Sequence, residues 1–131
     1  MHAAQFGMVG QHLQESIAAR FGPFAVHQLV ERALRYCDWA VSMGLLAIRT
    51  HVDTTPDHLR GVEAMLEVKR RVAPYLDLQL VAFPQDGLYR TPTGRQNVVR
   101  ALDMGVDVVG GIPHFERTMA DGAASVKRLC E

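Results

Sequence analysis

A glutamine directly after an apolar stretch is the residue of this sequence that best suits a binding site. Five of the six residues in Leu78–Phe83 are apolar, which predicts a short strand buried on both faces. Pro84 ends the strand because it has no N–H to donate, and Gly87 permits a sharp turn. Gln85 therefore follows the carboxyl end of a buried strand, where ligands bind in α/β proteins. Its primary amide can pair with a ring amide through one donor and one acceptor, or it can cap its own loop.

His51 and Asp53 form a second candidate pair at the end of another predicted strand. Alternate residues of a strand point to the same face, so both side chains can line one pocket and bind a metal there. The other interpretation is that Asp53 caps the next helix and His51 is a hydrogen-bonded wall residue. We favour the second interpretation, because most histidines in strands have a structural role.

His114 and Glu116 form a third candidate pair, directly after Pro113. An H-x-E pair also opens the signature of one class of zinc nucleobase deaminases, but that signature requires a downstream P-C-x-x-C. Cys130 stands alone, which excludes that class. Two interpretations of the pair stay open: the side chains shape a pocket at the rim of a sheet, or they hold a loop.

Helices and strands alternate in the pattern of apolar residues that surrounds these candidates. Thr55 with Pro56 has the composition of a helix start, and Thr93 with Gln96 has the spacing of a capping box. The predicted elements are a helix over 24–43 closed by Gly44, a strand over 45–50, a helix from Pro56 that ends before Pro74, a strand over 78–83, a helix over 94–104 ended by Gly105, a strand over 106–110 and a helix over 117–130.

This alternation predicts an α/β fold with a parallel sheet and right-handed crossovers. The strands recur about every thirty residues, as in βαβ units. Three strands are too few for a doubly wound sheet, and a closed (β/α)8 barrel needs about 250 residues. We therefore predict a partial (β/α)8 TIM-barrel-like segment with three parallel strands and flanking helices. The whole chain, 1–131, is predicted to be a single incomplete barrel segment, with a loop and short helix over 1–22 and a helix plus three βα units over 23–131.

The motif Val81–Gly87 (VAFPQDG) resembles the third-strand motif of the cytosine deaminase-like branch of the metal-dependent amidohydrolases. Three other blocks resemble the same family in the same order: Ile48–Asp53, Ala64–Lys69 and Asp107–Glu116. The similarity extends over about residues 45–116 and implies the second, third and fourth strands of an amidohydrolase barrel. It also implies that Gln85 is the substrate-binding residue that hydrogen-bonds a pyrimidine-like ring.

The resemblance implies a hydrolytic deamination, in which a divalent metal, zinc or iron, activates a water that attacks an amidine-like ring carbon. In the family, the metal ligands come from the first strand (an HxH pair), from the fifth or sixth strand and from the eighth. A His-Cys-Asp-Glu motif after the fifth strand moves the protons. None of these motifs is in this sequence, and Asp53 stands where an HxH pair would need its second histidine. We therefore expect no catalytic residue, no metal ligand and no cofactor in this chain.

The function predicted is that of a fragment or truncated form of such a hydrolase, acting in its complete form on a cyclic amidine or amide, a pyrimidine- or triazine-like ring. This chain alone is expected to be inactive. A non-catalytic α/β binding or subunit protein derived from the fold is the alternative. A small phosphate-binding α/β enzyme is disfavoured, because the sequence has no glycine-rich phosphate loop.

Composition restricts the partners. Fourteen basic residues balance fourteen acidic ones, which disfavours binding to nucleic acid or to an anionic membrane. No apolar run has the roughly 20 residues of a membrane helix, and the start lacks the pattern of a signal peptide. Cys37 and Cys130 are far apart with no CxxC, so a reducing, cytoplasmic setting is expected. Three strands with open edges predict a homo-oligomer or another form of self-association.

Overall fold

Helices and strands alternate along residues 26–131, the part of the chain that the structure, a computed structural model, describes. The loop and short helix predicted over 1–22 lie outside these residues. The described elements are α1 Val26–Ser42, β1 Ala47–Asp53, α2 Arg60–Val72, β2 Asp77–Phe83, α3 Gly94–Asp103, β3 Val108–Val109, a 3-10 turn Pro113–Phe115 and α4 Met119–Cys130. No helix within 26–131 is long and apolar enough to cross a membrane.

The three strands form one parallel sheet in the order β1-β2-β3. The register of β1 and β2 runs from Ala47 opposite Asp77 to Asp53 opposite Phe83. The shorter β3 pairs with the second half of β2, with Val108 opposite Val81. The predicted α/β class with three parallel strands is therefore confirmed.

The two faces of the sheet differ in burial. On β1, Val52 is buried, whereas Arg49, His51 and Asp53 are exposed. The buried face packs against α2, where Val62 and Val68 have no exposed surface, and it forms the core of the domain. The exposed side chains of β1 therefore lie on the face of the sheet away from α2.

The start of α2 differs from the prediction. The helix begins at Arg60 rather than at Pro56, and its N-cap is Leu59, which has a left-handed backbone conformation with φ of 45°. The Thr55 hydroxyl accepts the N–H of Asp86 at 3.3 Å, in the loop after β2. The segment between β1 and α2 is thus bound to neighbouring loops, and this tertiary contact overrides the local helix-start pattern.

The start of α3 was predicted at the correct residue, but the predicted capping hydrogen bond is not formed. Thr93 is the N-cap, yet its side chain makes no cap hydrogen bond. The Thr93 hydroxyl instead donates to Oδ1 of Asp57 at 2.6 Å. In contrast, α4 has an unpredicted cap, since the Thr118 hydroxyl accepts the N–H of Asp121 at 3.0 Å. Gly105, with φ of 110°, ends the α3 region as predicted.

Candidate functional site

The candidate residues lie around the carboxyl edge of the sheet. Asp53 and Phe83 are the last residues of β1 and β2 and are opposite each other in the register. Three loops begin at this edge: 54–59 after β1, 84–93 after β2 and the segment that leads from β3 to α4. The carboxyl edge of parallel strands is the place where α/β proteins bind ligands.

Asp53 connects two of these loops. Its Oδ1 atom accepts the backbone N–H of Thr55 at 2.8 Å, which forms a local Asx-type turn. The same oxygen accepts the backbone N–H of Gln85 at 3.4 Å. The interpretation of Asp53 as the cap of the next helix is wrong, because α2 begins only at Arg60. Instead, Asp53 ties the end of β1 to the loop that carries Gln85.

Gln85 lies two residues beyond the end of β2 and is half-buried. Pro84 before it is fully buried, and the N–H of Gly87 donates to the Pro84 carbonyl at 2.9 Å, which closes a tight turn. Within residues 26–131 the Gln85 carboxamide has no hydrogen-bond partner. Its main chain is therefore held while its donors and acceptor are available to a ligand.

His51 lies on the exposed face of β1, opposite Val81. Its ring packs edge-on against the ring of Phe83, with the centroids 4.6 Å apart. Within the described residues it has this ring contact but no hydrogen bond, so the hydrogen bond expected of a wall residue is not formed there. His51 and Asp53 share one face, as their alternation predicts.

The residues described do not fit a metal site. In the range 26–131, no three side chains of histidine, cysteine, aspartate or glutamate lie close enough together to hold an ion. His51 and Asp53 are on one face, but Asp53 uses one oxygen to accept two backbone N–H groups. No chemical step through a metal is therefore assigned to these residues.

His114 lies within the 3-10 turn Pro113–Phe115, and Glu116 directly follows that turn. Glu116 reaches the loop after β2, where its Oε1 atom accepts the N–H of Leu88 at 2.5 Å and that of Tyr89 at 3.3 Å. His114 is exposed, and its ring contacts Phe115 with the centroids 5.6 Å apart. The structure thus brings Glu116, but not His114, into contact with the Gln85 loop.

A polar cluster that the sequence reasoning missed joins the loop after β1 to α3. Its centre is Asp57, whose Oδ1 atom accepts from the Thr93 hydroxyl at 2.6 Å and from Nδ2 of Asn97 at 2.9 Å. These two hydrogen bonds lower the pKa of Asp57 below its ordinary value. Asn97 is 1% exposed, and Arg100 donates to the Asp57 carbonyl at 3.0 Å. Asn97, a polar residue inside the apolar stripe of α3, is the sequence signal that could have revealed this cluster.

The chain is similar in sequence and in fold to solved structures of known enzymes. The chain is 42% identical to 5-methylcytosine deaminase from Klebsiella pneumoniae, solved with phosphonocytosine, with a TM-score of 0.81 over 86% of this chain and 27% of that one. It is 28% identical to N-isopropylammelide isopropylaminohydrolase from Burkholderia multivorans, with a TM-score of 0.68 over 92% of this chain and 30% of that one. Both are amidohydrolases with TIM-barrel folds, so the predicted partial barrel is confirmed.

A third relative comes from sequence comparison alone. N-isopropylammelide isopropyl amidohydrolase from Pseudomonas sp. (strain ADP) is 36% identical over 90 residues, which are 67% of this chain and 22% of that protein. No family model matches the chain. The chain thus spans about a quarter of the length of these relatives. Over this partial segment of their barrel, the chain is a homologue of the cytosine deaminase-like enzymes of the amidohydrolase superfamily.

Proposed function

We propose that this chain is the substrate-recognition segment of an amidohydrolase that hydrolyses a cyclic amidine or amide, and that Gln85 binds the amide edge of the ring. In this proposal, residues 1–131 form one incomplete barrel unit. The observation that carries it is the turn after β2, where the Gln85 main chain is held by Asp53 while its carboxamide has no partner within 26–131.

The chemistry of a carboxamide suits this role. It offers a donor and an acceptor side by side, and a ring with adjacent O=C and N–H groups presents the complementary pair. The relatives named above act on 5-methylcytosine or on N-isopropylammelide. A pyrimidine- or triazine-like ring is therefore the ligand class we propose. A ring without this edge would leave the Gln85 carboxamide unmatched, which makes such a contact selective.

We propose that the hydrolytic step needs groups that the described residues do not supply. Amidohydrolases of this kind are generally metal-dependent, but the described side chains do not fit a zinc or iron site. We propose that the metal ligands and the proton-transfer groups belong to the part of the barrel that this chain does not span. This chain alone would then bind the ring without deaminating it.

A non-catalytic binding or subunit role is the second candidate, and the exposed surface favours it. Trp39 and Tyr36 on α1 are 63% and 56% exposed and contact each other edge-on. Within residues 26–131 the outer edges of β1 and β3 have no neighbouring strand. Exposed aromatic residues and open strand edges promote association, so we propose a homo-oligomer or a partner that supplies further strands.

A reducing, cytoplasmic setting remains part of the proposal. Cys37 is buried and Cys130 is exposed, and both are free thiols. Burial, followed by the nearby Asp38 charge, raises the pKa of the Cys37 thiol, which makes it less reactive.

Titration of the full chain with cytosine by isothermal calorimetry tests the role of Gln85. We expect Gln85→Ala to lower the affinity by about tenfold or more, because the ring edge loses its partner. Gln96→Ala, at an exposed position of α3, is the matched control and should bind as the wild type does. Unchanged affinity with a lower melting temperature would identify Gln85 as a loop cap, and a wild-type chain that binds no cytosine would overturn the proposed recognition.

A further inference from the structure

We propose that Glu116 is a positioning residue for ring recognition, which fixes Gln85 by holding the turn that follows it. This inference rests on the proposed role of Gln85. Glu116 lies beyond β3, in a different loop from Gln85, and its carboxylate accepts backbone N–H groups of the Gln85 loop.

The turn is held at both ends. At its start, Pro84 is fully buried, and the N–H of Gly87 donates to the Pro84 carbonyl at 2.9 Å. At its end, the Glu116 carboxylate accepts the N–H of Leu88 at 2.5 Å and that of Tyr89 at 3.3 Å. Gln85 lies between these two anchors. We infer that the direction of its backbone, and with it that of its carboxamide, depends on the Glu116 anchor as well as on the hydrogen bond to Asp53.

The turn carries a glycine where the carboxylate approaches it closely. Gly87 has φ of +99°, a conformation that favours glycine, and a Cβ atom there would lie 3.0 Å from Oε2 of Glu116. Arg90 adds a second link between the same two segments, since its guanidinium donates to the Phe115 carbonyl at 3.1 Å. Glu116 is thus built into the turn rather than resting on its surface.

The negative charge of Glu116 strengthens its hydrogen bonds to the turn. A carboxylate that accepts backbone N–H groups forms charge-assisted hydrogen bonds, which are stronger than neutral ones. A glutamine at this position keeps a single acceptor oxygen and no charge. We therefore expect Glu116→Gln to hold the turn less firmly, and Glu116→Ala to release it.

Two measurements on the full 131-residue chain test this inference. The first is amide hydrogen exchange of residues 87–89, where we expect faster exchange in Glu116→Ala and an intermediate rate in Glu116→Gln. The second is calorimetric titration with cytosine, where losing the charged anchor should weaken binding by about tenfold. Glu116→Gln keeps the test valid if the alanine variant does not fold.

Asp107→Asn is the matched control. The Asp107 carboxylate also accepts a backbone N–H from the β2 region, that of Leu80 at 2.8 Å, but at a distance along β2 from the Gln85 turn. We expect this variant to lower the melting temperature without changing either cytosine affinity or exchange at 87–89. An equal effect of Asp107→Asn on cytosine affinity would show that loss of stability, not positioning, weakens binding.

A double-mutant cycle decides whether Glu116 acts through Gln85. If it does, Glu116→Ala should have no further effect on cytosine affinity in a Gln85→Ala background. Additive effects, or a Glu116→Ala single variant with wild-type affinity, would overturn the positioning role while leaving that of Gln85 intact. A wild-type chain that binds no cytosine would overturn the role of Gln85 and the recognition role of Glu116 together, whatever the exchange rates show.

Discussion

Asp53 and Gln85, which are 32 positions apart in the sequence, are joined by a hydrogen bond of 3.4 Å from the Gln85 N–H to the Asp53 carboxylate. The bond connects the end of β1 to the first loop residues after β2. Because Asp53 also accepts the Thr55 N–H at 2.8 Å, one oxygen fixes both loops at the carboxyl edge. The two candidate residues that the sequence suggested separately are therefore in direct contact.

In a complete barrel that supplies the metal, Gln85→Ala should lower kcat/KM by roughly ten- to a hundredfold. A buried ring edge left without its partner costs about 1–3 kcal/mol, and about 1.4 kcal/mol corresponds to a factor of ten. If the contact also orients the reacting carbon, kcat falls as well; if it only binds the ring, KM alone rises. The measurement is steady-state kinetics per folded molecule beside the melting temperature. Normal kinetics with a lower melting temperature would remove Gln85 from the site.

The purified chain should contain no stoichiometric metal and should release no ammonia from cytosine. The reason is that the HxH and later-strand motifs of the family are missing from the sequence. Elemental analysis and an ammonia assay check this, with the Klebsiella 5-methylcytosine deaminase and 5-methylcytosine measured in parallel as the positive control. One zinc or iron per chain together with ammonia release would contradict it.

The chain should associate in a concentration-dependent manner, because the described strands have open edges and Trp39 is 63% exposed. Light scattering after gel filtration over a range of loading concentrations measures this. Trp39→Glu should weaken association if the aromatic face of α1 takes part, whereas Gln28→Glu, an equal charge change elsewhere on α1, should not. A monomer at every concentration would contradict the proposal.

Two glycines in helices should respond to alanine in opposite directions. At Gly94, a Cβ atom would lie 2.5 Å from the Leu88 carbonyl oxygen, so the backbone must shift and we expect a loss of about 1–3 kcal/mol in the free energy of unfolding. At Gly61, the new atom would lie at an ordinary 3.7 Å from Val52, so we expect a gain of about 0.5–1 kcal/mol. Urea denaturation measures both, and an equal sign for the two variants would show that the described packing is wrong.

Asp57 should make stability depend on acid pH. Hydrogen bonds from Thr93 and then Asn97 lower its pKa in the folded chain below the ordinary value of 3.8. Its stabilising contribution is therefore complete above that value and is lost as the pH falls through the lower pKa of the folded state. Melting temperatures between about pH 5 and pH 2 should fall less steeply in Asp57→Asn than in the wild type. Asp103→Asn, at the exposed end of α3, is the control and should keep the wild-type slope.

Local sequence patterns determined much of the architecture of this chain. The apolar run before Pro84 became β2, and Gly87 lies in the sharp turn that was expected there, with φ of 99°. The order of helices and strands was sufficient to predict a parallel sheet. These features were predictable because they depend on residues that are close together in the sequence: apolar periodicity, a missing N–H and a missing Cβ.

The contacts between the candidate residues and their neighbours were decided by the tertiary structure. Asp53 meets Gln85, Glu116 meets Leu88, and Asp57 meets Asn97, across separations of 32, 28 and 40 residues. Another tertiary contact explains the false helix start at Thr55, since the Thr55 hydroxyl accepts the N–H of Asp86 in the loop after β2. A carboxylate can accept from any nearby N–H. The partner of each carboxylate therefore depends on the strand register and on the loops that this register brings together. Neither can be predicted from the residues next to the carboxylate in the sequence.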